Sequence, residues 1–260
     1  MSLLSILLFI TIVPIILILI FVYQKDKEKE PLSLLIQFFG LGIFSCFLVL
    51  YFSSFLKNIF PFMNSINRKN LLDLFLYTFL GVSLLEEGCK WLMLYMRGYH
   101  TKEFDEIYDI LVYSVFVSLG FAFFENTYFV FQQQNIRIAI TRALSAIPSH
   151  ACDAIFMGYF LSFAKVYHYQ KEIKKEREQI TLSILVPTIM HGIYDFFTMS
   201  KIKILVPLFF ILIIILYIIS YKRLKDLSKI NEQIRKKPKY CKNCGAKLKD
   251  NICSKCGIVN

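Results

Sequence analysis

The chain has 260 residues, 56% of them hydrophobic, and carries 30 lysines and arginines against 19 aspartates and glutamates, for a net charge of +11. So apolar a composition excludes an ordinary soluble domain. The positive charge does not demand a nucleic-acid partner, and none is expected, because the basic residues lie between apolar blocks and toward the C-terminus, as in the cytoplasmic loops of membrane proteins.

A membrane helix takes about 20 mainly apolar residues. The sequence predicts seven such runs: 2–23, 32–56, 71–96, 107–131, 143–165, 180–199 and 202–221. The expected fold is therefore an all-α polytopic membrane protein with about seven transmembrane helices. Run 2–23 has no basic leader and no Ala-x-Ala site after it, so it reads as a first membrane helix, bent at Pro14, and not as a cleaved signal. The charged link Gln24–Glu30 ends at Pro31, a suitable first residue for the next helix. His168–Gln179 is densely charged and reads as a helical extension into water. Loops one, three and five and the tail hold most of the basic residues, among them Lys25, Lys27, Lys29, Arg97, Lys171, Lys174 and Lys222. The positive-inside rule then places the N-terminus outside the cell membrane and the C-terminus in the cytoplasm.

The third run contains Glu86, Glu87 and Lys90. A charged side chain near the bilayer centre costs roughly 2.5–3.5 kcal/mol, and two adjacent carboxyls are hard to explain as packing. Glu86 and Lys90 are one helical turn apart and can pair, which would leave Glu87 about 100° away and facing a cavity. A purely structural ion pair is the plainer alternative, but it needs only one glutamate. The fourth run holds Gly120, then Glu125 and Asn126; Asp109, near its inner end, reads as interfacial. His150 and Asp153 are i and i+3 on the fifth run, and His191 and Asp195 are i and i+4 on the sixth. Two imidazoles on separate apolar helices, each with a carboxyl on its own face, point to chemistry rather than packing. Two readings stay open. Glu125, His150 and His191 could hold a catalytic Zn²⁺ that activates water. A glutamate could instead act as base with the histidines stabilising an oxyanion, without metal. His-Glu-x-x-His, Gly-x-Ser-x-Gly and a Gly-x-Gly-Asp partner for Tyr194-Asp195 are missing.

In the tail, Cys241-x-x-Cys244 and Cys253-x-x-Cys256 have the spacing of a small zinc ribbon, with structural Zn²⁺ held by four thiolates. A module this small would take its folding energy from the metal, and its expected role is to dock a cytoplasmic regulatory protein. The stretch 222–239 before it reads as a solvated basic linker near anionic headgroups. Cys46, Cys89 and Cys152 read as small buried residues without chemistry.

Taken in order, Glu86-Glu87-x-x-Lys90, Gly120-Phe121-Ala122-x-x-Glu125-Asn126, the His150 segment and His191-Gly192-x-Tyr194-Asp195 resemble the PrsW family of intramembrane proteases, grouped with the CAAX-protease and bacteriocin-processing (Abi) superfamily. The resemblance covers the third to sixth runs. The tail has no counterpart in the family's core pattern, so the expected division is a transmembrane protease domain over 1–221, a basic linker over 222–239 and a zinc ribbon over 240–260, the last two read from charge and cysteine spacing. The resemblance implies cleavage of a membrane-associated protein, such as an anti-sigma-factor-like regulator, in or beside the lipid bilayer. Glu86 and Glu87 would be catalytic, one of them the general base, and Glu125, His150 and His191 would complete the site, with Lys90, Asn126, Asp153 and Asp195 in support. The rivals are a proton-coupled transporter, which intramembrane carboxyls and histidines also mark, and a non-catalytic sensor signalling through the ribbon. Against the transporter, no internal repeat is evident.

Overall fold

In the computed structural model the described residues are 2–60, 63, 70–200, 202 and 205–235, and they form helices joined by short links. The four tail cysteines, and with them the predicted ribbon, lie outside the described residues. Helix α1 spans Leu3–Lys25 and passes through Pro14 without ending. Helix α2 spans Leu32–Ile59, with Pro31 as its N-cap. Helix α3 is one rod over 71–99 whose winding changes along its length: α over Leu71–Leu76, π over Tyr77–Ser83, α over Leu84–Leu94 and π over Tyr95–Tyr99. Then come α4 (Asp109–Gln133), the short α5 (Ile136–Leu144), α6 (Ala146–Tyr169), α7 (Ile173–Met199) and α8 (Leu205–Arg235).

Five of these are long and apolar enough to cross a membrane: α1, α2, α4, α7 and α8. The other two predicted runs are helical as well, but α3 carries Glu86, Glu87 and Lys90, and α6 carries His150 and Asp153, which dilute their apolar character. The predicted run 143–165 is also divided, because Ser145 separates α5 from α6. The charged stretch 173–179 is indeed helical and forms the first turns of α7. The expected solvated linker is corrected in part: 222–235 continue α8, and Leu224, Leu227 and Asn231 are buried against the bundle.

Helix α4 is the axis of the molecule. It packs against α1, α2 and α6, and α6 in turn carries α7 and α8. Its residues from Asp109 to Ala122 are buried on every side. Its small residues allow this close approach. A Cβ added at Gly120 would lie 2.1 Å from the Phe39 carbonyl oxygen, and one at Gly42 would lie 1.9 Å from that of Val117, so α2 and α4 touch backbone to backbone. On the opposite side Ser114 and Ser118 donate hydroxyl hydrogen bonds to the α6 carbonyls of Ala154 (2.7 Å) and His150 (2.8 Å). Outward-facing Phe9, Leu17, Ile36, Phe47, Phe210 and Ile214 are exposed, as a lipid-facing surface requires.

Candidate active site

The polar residues singled out along the sequence converge on one place, where α3, α4, α6 and α7 meet. Four signals in the chain build it. The π-helical winding over Tyr77–Ser83 sits immediately before Glu86, and such insertions recur at functional sites. Gly192 lets α7 lie against that winding, since a Cβ there would be 2.6 Å from the Phe79 ring. Pro187 stands one turn before His191 within α7. Gln134, with left-handed φ of 44°, ends α4, and the Asn135 side chain caps α5 by accepting from the amides of Arg137 (2.9 Å) and Ile138 (3.4 Å), which brings Arg142 back over the site.

Glu87 is fully buried, and its Oε1 accepts from Lys90 Nζ at 2.5 Å and lies 2.7 Å from His191 Nδ1. Lys90, also fully buried, reaches 3.3 Å from His150 Nδ1 and stands 4.4 Å over the Phe121 ring. The other ring nitrogen of His150, Nε2, is 2.9 Å from Glu125 Oε2. Glu125 Oε1 is 2.9 Å from an Arg142 guanidinium nitrogen, and Arg142 Nε donates to Asn126 Oδ1 at 2.6 Å. His191 Nε2 faces Asp195 at 3.5 Å and Glu86 at 3.7 Å, with Asp153 3.9 Å from its Nδ1. The two imidazoles are 5.2 Å apart and nearly perpendicular. Beside them opens a cavity of about 690 Å³, lined by Glu86, Glu125, Arg142, His150, Asp153, His191 and Asp195 and walled by apolar side chains including Phe121, Phe124 and Phe209.

A model of the PrsW family of intramembrane metalloproteases matches residues 30–221. The chain belongs to this family. Among curated relatives it is 32% identical to "Protease PrsW" of Clostridioides difficile (strain 630) over 75% of this chain and 79% of that one. It is 41% identical to the Geobacillus kaustophilus protein of that name over 47% and 52%, and 38% identical to the Bacillus subtilis (strain 168) protein over 47% and 54%. No solved structure matches. Family membership and the long apolar helices make this chain an integral membrane protease, which favours hydrolysis over the transporter and sensor readings.

The two glutamates exchange the places the sequence suggested for them. Glu87, not Glu86, pairs with Lys90, because the (i, i+3) contact closes on the buried side of α3, and Glu86 lines the cavity. His150 on α6 meets Glu125 of α4 rather than Asp153 of its own helix, whereas His191 on α7 keeps Asp195 of its own helix at 3.5 Å and meets Glu87 of α3 more closely, at 2.7 Å. Arg142 was not singled out by sequence as a site residue; its signal was the second of two arginines in an amphipathic nine-residue helix.

The donors fit a divalent metal. Atoms of Glu87, His150, Asp153 and His191 lie within 4.8 Å of one another, and all four residues are buried. Among the described residues, Glu87 Oε2 and both Asp153 oxygens have no hydrogen-bond partner, as carboxylate oxygens awaiting a cation would. This set differs from Glu125, His150 and His191, because Glu125 is engaged by Arg142.

Proposed function

We propose that the protein is an intramembrane endopeptidase that cleaves a membrane-associated protein with water activated by Glu86. The observation that carries this reading is the position of Glu86: a buried carboxylate on the cavity wall, with Oε2 lacking a hydrogen-bond partner among the described residues and His191 3.7 Å away. Glu86 takes a proton from water, and the hydroxide attacks the scissile carbonyl; the tetrahedral intermediate collapses with cleavage of the C–N bond, and the Glu86 carboxylic acid or an imidazole gives a proton to the leaving amine. Glu87 is held by Lys90 and His191 and serves as a positioning residue. His150, oriented by the Glu125–Arg142 pair, and His191 face the developing oxyanion. The apolar cavity wall accommodates the extended substrate and limits water to the polar corner. A metal held by His150, His191, Glu87 and Asp153 would supply Lewis acidity and favour hydroxide formation.

The finer features rest on the following support. Seven spanning rods, α3 and α6 included, accord with loops one, three and five meeting at one end, where Lys165 Nζ donates to the Tyr99 carbonyl (2.9 Å) and Asn231 to Glu106 (2.6 Å). That end carries the basic loops, so it is assigned to the cytoplasm. The tail cysteines are read as a zinc ribbon that docks a regulator, from their spacing. An anti-sigma-factor-like substrate and the CAAX-protease and Abi grouping follow from the motif resemblance.

The test is cleavage in reconstituted lipid of a panel of tagged single-span membrane proteins, with Glu86→Gln as control. Cleavage by the natural protein and not by the variant supports the reading. Equal cleavage by both would sink Glu86 as base. Ion or solute flux lost with Glu86→Gln would restore the transporter.

A further inference from the structure

A second cluster of carboxyls lies at the opposite end of α4, where the mechanism has no use for it. Asp26 from the α1–α2 link, Glu106 from the α3–α4 link and Asp109 at the start of α4 each offer an oxygen, and these oxygens all fall within 4.8 Å of one another. From Asp109 to Glu125 the rise along α4 is about 24 Å, so this cluster is separate from the active site.

The three residues are buried at 2%, 9% and 0% exposure. Asp109 Oδ2 is satisfied by the amides of Asp105 (3.1 Å) and Glu106 (2.7 Å). Glu106 Oε2 accepts from Asn231 Nδ2 of α8 at 2.6 Å. Among the described residues, neither oxygen of Asp26 has a hydrogen-bond partner, nor does Asp109 Oδ1. A further observation comes from outside the acidic set. Tyr108 is 1% exposed, its hydroxyl has no partner among the described residues, and it lies close enough to Asp26 to feel that carboxylate's charge. Among the described residues Lys29 is near enough to act on the Asp26 carboxylate, and its ammonium donates to the backbone carbonyls of Tyr23 and Asp26. Burial pushes the Asp26 carboxyl up to about 6 and that of the neighbouring Glu30 up to about 7.

Three converging buried carboxylates, with Asp26 Oδ1 and Oδ2 and Asp109 Oδ1 lacking a hydrogen-bond partner among the described residues and an unpartnered phenol beside Asp26, have the chemistry of a hard-cation site. With no histidine or thiol in the set, it does not favour zinc. We infer that Asp26, Glu106 and Asp109 bind a divalent cation of the Mg²⁺ or Ca²⁺ class, which ties the α1–α2 link to the α3–α4 link. Through the Asn231–Glu106 bond the same site holds α8, from which the cysteine tail continues. Occupancy therefore fixes the base of the tail.

The probe is Mn²⁺, which replaces either ion and whose free form is counted by electron paramagnetic resonance. The full chain in lipid nanodiscs, stripped of divalent ions, is titrated with Mn²⁺ and then with Mg²⁺ or Ca²⁺ as competitor. Saturable binding is expected in the roughly 10⁻⁴–10⁻³ M range of weak oxygen-ligand sites. The competitor effective at the lower concentration identifies the preferred ion. Asp26→Asn and, separately, Glu106→Gln should weaken this binding by at least about tenfold, while Asp153→Asn, in the metal-capable set of the active site, should not alter it. Thermal unfolding of the natural protein with and without the competitor gives a measurement independent of whether the variants fold: the midpoint should rise with the ion. Absence of Mn²⁺ binding, no rise in midpoint, or affinity unchanged in folded Asp26→Asn would overturn the inference. So would a signal lost with Asp153→Asn instead, because that would place the ion in the active site.

Discussion

Replacing each of two adjacent glutamates by glutamine should have opposite consequences, and the difference can be worked from the contacts. Lys90 is fully buried and has one carboxylate partner, Glu87, at 2.5 Å. At an effective dielectric near 20 that pair attracts by about 6–7 kcal/mol before desolvation is subtracted. Removing one partner of such a pair costs about 3–5 kcal/mol, because the remaining ammonium stays buried without compensation. The Phe121 ring at 4.4 Å cannot replace a carboxylate. Glu87→Gln is therefore expected to lose about 3–5 kcal/mol of stability, and Lys90→Met in the same chain should recover most of it. Glu86 has no such partner and faces the cavity. Its glutamine variant should unfold at nearly the natural midpoint while cleavage falls by about 10²–10⁴-fold, the usual worth of a general base. Both are read from unfolding in mild detergent followed by helical signal, and from cleavage of the best panel substrate. If Glu86→Gln proved the unstable variant, or the two midpoints were equal, the assignment of roles along α3 would be wrong.

The remaining expectations concern the shell around this pair. Arg142→Met removes the guanidinium 2.9 Å from Glu125 and 2.6 Å from Asn126; cleavage should drop by about 10–100-fold through misorientation of His150. Because Arg142 and Glu125 are each 21% exposed, the unfolding free energy should change by no more than about 1 kcal/mol. Asp153→Leu should lower cleavage yet raise stability by about 1–3 kcal/mol, since it replaces by apolar atoms a buried carboxyl whose oxygens have no hydrogen bond among the described residues; denaturant unfolding gives the sign, and a loss of stability would mean that the carboxyl is compensated. Gly120→Ala should cost about 1–3 kcal/mol by driving α2 from α4. Gly40→Ala on the same α2, where nothing lies within 4 Å of the added carbon, should be neutral or stabilising by up to about 1 kcal/mol.

What could be read from the sequence follows from the cost of charge in lipid. Glu86, Glu87, His150 and His191 stand out because each interrupts an apolar run, and the fold brings all four together where α3, α6 and α7 meet. Which glutamate meets Lys90 was not legible, because spacings of three and four both bring side chains onto one helix face, and only the packing of α3 against α7 decides between them. Asp153 shares a helix face with His150 but is directed toward His191, a choice made by the inter-helix geometry. Arg142 was hidden by the break at Ser145, since an uninterrupted run from 143 leaves no short helix to carry it. Asp26, Glu106 and Asp109 are scattered over two links and a helix start, where polar residues are ordinary; their convergence exists only in three dimensions.

The charges of the active site divide into two kinds. Glu87 is neutralised from below by Lys90, and Glu125 from the side by Arg142. Each of these carboxylates also contacts one histidine, so the cations act on the imidazoles through them. Among the described residues Glu86 has no lysine or arginine partner, and its nearest ionisable contact is His191 at 3.7 Å. A base must be free to accept a proton, whereas an orienting carboxylate must be held. The same helix supplies both because adjacent residues point about 100° apart: one turns into the packed interior, where a lysine can be accommodated only as a partner, and the other turns toward the cavity. On the proposed mechanism the doubled glutamate is two devices, and the lysine, three residues after Glu87, specifies which of them is fixed.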